Sequence, residues 1–118
     1  MFGGEKRKDP RVNSQNLVFY ICLDEGDRQV KQGMGRTLNV SEGGILLETH
    51  ESIEQPGCVI LTLGLEEYMM AIKGRMIFSN RRGDGRFETG IQFMEMDDQR
   101  RRSLRQYILI FKDEIKGG

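Results

Sequence analysis

Arg7 and Arg11 stand four residues apart in Arg7-Lys8-Asp9-Pro10-Arg11, near the start of the chain. A guanidinium presents a rigid fork of donors that grips phosphate through two parallel hydrogen bonds. The same fork addresses O6 and N7 of guanine, and its plane stacks on a purine. A guanine nucleotide with phosphates would use all three abilities. Pro10 lacks an N–H and fixes its own φ, which favours an extended path over a helical one. A second polar group comes later, in Asn39-Val40-Ser41-Glu42-Gly43-Gly44. Asn39 can meet a guanine edge with its amide, and Ser41 can donate to a phosphate or hold a turn. Gly43 and Gly44 permit positive φ and close approach of a ligand to the main chain. Turn N–H groups pointing one way also form a concavity for anions. Each segment has a plainer explanation, a solvated tail for the arginines and a structural turn for Asn, Ser and Gly.

Other chemistries find little support. The only histidine, His50, has no ligand partner at metal-binding spacing and is expected to be exposed. Cys22 and Cys58 lie far apart in apolar runs and read as reduced core residues. Ser41 has no evident base, and no Walker pattern is present. No catalytic residue, metal or cofactor is therefore expected, and the protein is read as a binding module rather than an enzyme.

The chain has 118 residues, of which 37% are hydrophobic and 31% charged, enough for one domain with one core. No run approaches the ~20 apolar residues of a membrane helix. Met1 to Lys8 has no apolar stretch after its charges, unlike a secretory signal, so a cytoplasmic location without membrane insertion is expected. Eighteen basic and eighteen acidic side chains cancel, which argues against a general nucleic-acid binder. Basic residues cluster even so: Lys6 to Arg11, Arg100 to Arg105, and Arg81, Arg82 and Arg86 around Gly83-Asp84-Gly85. Such clusters suit a small polyanion at least as well as a polymer, and the Arg100–Arg105 run also reads as solvated charge.

The elements that must position these groups follow from periodicity. Residues 1–13 have no apolar face and read as a flexible arm; residues 14–118 read as one folded unit. Leu17 to Leu23 is rich in branched and aromatic residues, as strands are. A charged loop, Asp24 to Gly33, precedes a strand from Gly35 to Val40, and Ile45 to Glu48 resumes the extended pattern. Val59, Leu61, Leu63 and Leu65 share one side of a strand. Met70, Ile72, Met76 and Phe78 share one side of the next, with Gly74 as a bulge or bend. Past the turn Asn80–Gly85, Phe87, Ile91 and Phe93 alternate with Arg86, Glu88 and Gln92. This repeated period of two predicts a barrel or sandwich. The period then changes: Leu104, Tyr107, Ile108, Phe111 and Ile115 fall at helical spacing, behind Asp97 or Asp98 as cap. Such a helix would cover an open end or an edge of the barrel.

An arm with Arg-x-x-x-Arg, a strand, and then a strand ending in Asn-x-Ser-x-x-Gly resembles the PilZ domain family. The resemblance extends through Gly90-Ile91-Gln92-Phe93 to the terminal helix. It implies a six-stranded antiparallel β-barrel with a C-terminal α-helix, binding the bacterial second messenger cyclic di-GMP. By position Arg7, Arg11, Asn39, Ser41 and Gly44 match the family's motifs, with Gly43 beside them. Lys6 precedes the first arginine, where relatives vary and stoichiometry is influenced. Asn39 stands where Asp is more usual, which keeps an acceptor and removes a charge. Phe78 falls where some relatives offer an aromatic to a base, although its alternation suits the core equally. The implied function is a receptor that orders its arm over the ligand and presents a changed surface to a downstream protein. The alternatives are a nucleotide-independent interaction module of the same fold and a single-stranded nucleic-acid barrel.

Overall fold

The computed structural model describes residues 17–53, 57–65 and 68–117, and the side chains of these except at 65, 68 and 114–117. Six strands and one helix follow in chain order: β1 (Leu17–Leu23), β2 (Gln29–Val40), β3 (Gly44–Thr49), β4 (Cys58–Leu65), β5 (Tyr68–Arg81), β6 (Phe87–Met94) and α1 (Asp98–Gly117). Every pairing is antiparallel, and the order β1-β2-β3-β6-β5-β4 closes on itself when β4 pairs with β1. The six-stranded barrel with a C-terminal helix that the family resemblance implies is thus the observed architecture, where alternation alone left barrel and sandwich open. The arm lies outside the described residues, as do the side chains of Leu65 and Ile115.

Inward-facing residues build the core. Val18, Cys22, Leu47, Leu61, Leu63 and Ile72 are buried to 1% exposure or less. Burying each large aliphatic side chain contributes roughly 1.5–3 kcal/mol. Helix α1 lays Leu104, Tyr107 and Phe111, at positions i, i+3 and i+7, against this core. The Tyr107 hydroxyl and Thr37 Oγ1 share a buried hydrogen bond of 2.7 Å that ties the helix to β2. Asp97 is the cap: its Oδ1 accepts from the Arg100 N–H at 2.7 Å, and that bond, above all, holds its carboxyl below its ordinary pKa.

Several expectations are corrected. Strand β2 begins at Gln29, not Gly35, because the charged segment makes a tight turn instead of a long loop. Asp24 Oδ1 accepts from the N–H groups of Gly26 and Arg28, at 2.8 and 2.9 Å, and Asp27 takes a φ of 63°. Gln29, Lys31, Gln32 and Gly33 then pair with β1 although none is apolar, with Val30 as an extra residue. Gly74 is no bulge; it lies within the β4–β5 ladder, where a Cβ would meet Ile91 at 2.5 Å. The irregularity of β5 lies at Ile77, between Met76 and Phe78. Cys58 is half-buried rather than a core residue, because it opens β4 next to inward-facing Val59; Cys22 is buried, and both are free thiols. His50 is exposed, as expected.

Candidate ligand-binding surface

Two extra residues set the geometry of the outer wall. In β2, Thr37 faces Leu47 and Asn39 faces Leu46, so Leu38 is an added residue. In β5, Met76 faces Ile91 and Phe78 faces Gly90, so Ile77 is another. A β-bulge shifts the phase of side-chain alternation. Thr37 and Met76 therefore point inward, while Asn39 and Phe78, two residues on, point outward. Phe78 is consequently 41% exposed and is not a core residue, against the reading of strict alternation.

The bulges align Asn39, Leu46, Gly90 and Phe78 in one row across β2, β3, β6 and β5. Three strand spacings of about 4.8 Å make that row roughly 14 Å wide. Beside it lies an open concavity of about 380 Å³, lined among others by Asn39, Ser41, Gly43, Gly44, Phe78 and Gln92. Gly90 is its floor: a Cβ there would meet the Phe78 ring at 2.5 Å, so the ring lies directly over the glycine.

The turn at one end is shaped by its short side chains. Asn39 Oδ1 accepts from the Val40 N–H at 2.9 Å, and Ser41 Oγ accepts from the Gly43 N–H at 3.3 Å. The Ser41 N–H donates to the Gly44 carbonyl at 2.9 Å, closing the turn. The two glycines serve unlike purposes, and neither has positive φ; among the described glycines only Gly85 does. At Gly44 a Cβ would stand 2.5 Å from the Ile91 carbonyl oxygen, so its role is close strand approach. Nothing lies within 4 Å of a Cβ on Gly43, which faces open space. Glu42, in the same turn, pairs with Arg105 of α1 at 3.1 Å. Arg105, like Arg100 with Asp97 at 2.9 Å, is thus exposed yet paired.

Of the residues singled out from sequence, the structure brings Asn39, Ser41, Gly43 and Gly44 to this one surface. Lys6, Arg7 and Arg11 lie outside the described residues. Sequence reading missed Leu46, Ile77, Gly90 and Gln92 as wall residues; the signal available was Gly90, a glycine inside a strand, which marks close approach.

One row further along the strands, Arg36, Glu48 and Glu88 face outward in register. Glu48 is only 6% exposed and is held by three arginines: Arg36 Nε at 3.2 Å, Arg86 Nη1 at 3.2 Å and Arg82 Nη1 at 2.9 Å. Burial pushes its carboxyl up, but the Arg36 hydrogen bond and the three positive charges outweigh burial and leave its pKa below the usual value. A depressed folded pKa stabilises the fold above the unfolded value of about 4.3, and the contribution is lost as pH falls through the folded value. Glu48→Gln should therefore cost about 2 kcal/mol at neutral pH. That gap should narrow in acid, as read by urea unfolding at about pH 7 and about pH 3. An equal gap at both would assign the cost to shape rather than charge.

The described residues thus form a closed six-stranded barrel with a C-terminal helix packed on it and an open concavity on its outer wall. The PilZ domain model matches residues 5–109, and the chain belongs to the PilZ domain family. Among solved structures, it is similar to MrkH from K. pneumonia, in its apo state and in a second crystal. The TM-score is 0.59 in each case, at 15% and 14% identity, over 96% of this chain. The match takes up 55% and 53% of those chains, so the protein spans about half their length; the likeness is one of fold. No curated protein is significantly similar in sequence. Among the described residues, no helix is long and apolar enough to cross a membrane, and no cluster of metal-ligating side chains occurs.

Proposed function

We propose that the protein is a receptor for cyclic di-GMP that signals by rearrangement. Membership of the PilZ domain family supports the ligand. The observation that carries the reading is the row Asn39, Leu46, Gly90 and Phe78 beside the Ser41–Gly44 turn. One purine stacks on the Phe78 ring. Asn39 has its Oδ1 occupied by the Val40 N–H, which leaves the amide N–H₂ to donate to guanine O6 or N7. The Ser41 hydroxyl donates to a phosphate, and the open space over Gly43 admits the ligand against the main chain.

Arg7 and Arg11 close over the bound ligand from the other side, with Lys6 influencing how many ligands stack there. Ordering residues 1–13 costs ~1–2 kcal/mol per residue fixed, so only charge-assisted contacts on a doubly charged ligand offset it. The Glu42–Arg105 pair gives the ligand-binding turn a direct contact with α1. A ligand that draws on this turn alters the helix surface as well as the arm, and a separate downstream protein reads the change. No step in this mechanism makes or breaks a covalent bond.

Calorimetric titration of the full chain with cyclic di-GMP tests the reading and reports stoichiometry. Saturable binding is expected. An absence of heat, together with unchanged spectra at excess ligand, would leave the nucleotide-independent module. Binding to oligonucleotides that strengthens with length and is not displaced by cyclic di-GMP would favour the single-stranded nucleic-acid barrel. Base–aromatic stacking is worth roughly 1–3 kcal/mol, so Phe78→Ala should weaken binding about tenfold with little change in melting temperature. Gly90→Ala should act similarly by displacing the ring. Unaltered affinity in both variants would remove Phe78 from the site.

A further inference from the structure

The guanidinium groups around Glu48 are not equally committed. Arg82 spends Nη1 on Glu48 and Nη2 on Asp84 at 2.6 Å, is 29% exposed, and anchors the β5–β6 turn to β3. Arg36 and Arg86 each give Glu48 a single nitrogen, Nε and Nη1 respectively. Both are about half exposed, at 51% and 49%. The remaining N–H groups of these two forks have no partner among the described residues.

Their position is informative. Arg36 and Glu48 lie in the outward row next to Asn39 and Leu46, a step of about 7 Å along the strands. They stand at the end of the wall away from the Ser41–Gly44 turn. A second concavity, of about 220 Å³, lies there, lined by Leu17, Arg36, Glu48, His50 and Arg86 among others. Leu17 is the first residue of β1, so the chain leaving the arm enters the barrel beside this cluster.

We infer that Arg36 and Arg86, oriented by Glu48, form a second anion-recognising subsite that takes a phosphate group at the far end of the wall. The inference rests on the proposed cyclic di-GMP reading. Glu48 is a positioning residue: buried beneath the arginines, it holds two flexible side chains in place before the ligand arrives. The local charges are Arg36 and Arg86 against Glu48, with Arg82 offset by Asp84 and, at 3.9 Å, Glu88. The three arginines and three carboxylates balance in total, and what is exposed at the concavity is the pair of Arg36 and Arg86 forks above a buried carboxylate. The phosphate belongs either to the same ligand that stacks on Phe78 or to a second, adjoining ligand molecule.

Removing the two arginines alone would leave the buried Glu48 carboxylate with Arg82 as its one remaining arginine and risk destabilising the fold. The test variant is therefore the triple Arg36→Gln, Arg86→Gln, Glu48→Gln, compared with the parent and with Arg82→Gln. Each is titrated with cyclic di-GMP at low and high salt, and each melting temperature is recorded. The triple variant is expected to bind at least tenfold more weakly than the parent, with a shallower salt dependence. A phosphate from a second ligand would appear instead as a drop in stoichiometry, and this too supports the subsite. Arg82→Gln should lower the melting temperature and leave affinity nearly unchanged. A folded triple variant that binds within about twofold of the parent, with equal stoichiometry and salt slope, overturns the inference and leaves the functional reading intact. If the parent itself fails to bind, that reading falls and the subsite with it.

Discussion

The double variant Arg7→Ala, Arg11→Ala should lose almost all affinity for cyclic di-GMP while its barrel melts at the parent temperature. A hydrogen-bonded contact to a charged group is worth about 1.5–3 kcal/mol, so two guanidinium groups together contribute roughly 3–6 kcal/mol. That corresponds to a fall in affinity of about 10²–10⁴. Lysine at the same positions should restore only part of it, because an ammonium keeps the charge and loses the bidentate fork. Both residues precede β1 in sequence, and two separate readouts distinguish binding from folding. Calorimetry gives the first and thermal melting the second. A double variant that binds as tightly as the parent would show the ligand to be held without the arm.

Gly44→Ala should have the largest effect of any single change in the wall, and for a different reason. The new methyl would stand 2.5 Å from the Ile91 carbonyl oxygen, which is backbone and cannot swing aside. Relief requires β3 and β6 to part where Gly44 pairs with Gln92. The Phe93 N–H to Gly43 carbonyl bond, 3.0 Å long, and the Ser41–Gly44 closure would both be disturbed. Overpacking of this kind costs about 1–3 kcal/mol, and the turn that carries Ser41 would move with it. Gly43→Ala is the natural control. Its methyl meets nothing within 4 Å, so stability should hold. A fall in affinity there, with the melting temperature unchanged, would report direct contact between ligand and turn. Equal stability of both variants would contradict the packing described for Gly44.

Most of the scaffold was legible because its strands follow the simplest rule of side-chain alternation. Val59, Leu61 and Leu63 in β4, and Ile91 and Phe93 in β6, announce an inner face. Leu104, Tyr107 and Phe111 announce a helical one. The first half of β2 was not legible, since Gln29, Lys31, Gln32 and Gly33 carry no apolar signal; they are strand because β1 pairs with them. The bulges were hidden for a related reason. Leu38 and Ile77 look like any strand residue, and only the partner strand's register makes them extra. Asn39 is marked by its turn-forming neighbours, whereas the alternation around Phe78 fits core and surface alike. The Glu48 cluster was legible only as the basic group around Gly83-Asp84-Gly85, because Glu48 itself lies 38 residues before Arg86 in sequence. The clues were an acid closing the apolar run Ile45-Leu46-Leu47 and three arginines around a hairpin turn with too few acids of their own.

The same two added residues bear on how such a surface can change over evolution. A substitution alters one group on the wall, but loss of Leu38 or Ile77 would set Thr37 beside Asn39, or Met76 beside Phe78, in regular alternation, so the outward row would keep its facing and lose only the local bend. Deletion of a single codon at either bulge is therefore a change in the curvature of the wall and not in which groups it offers. Relatives of this fold that lack one residue within β2 or β5 should keep the outward row and differ in the twist of the strands that carry it.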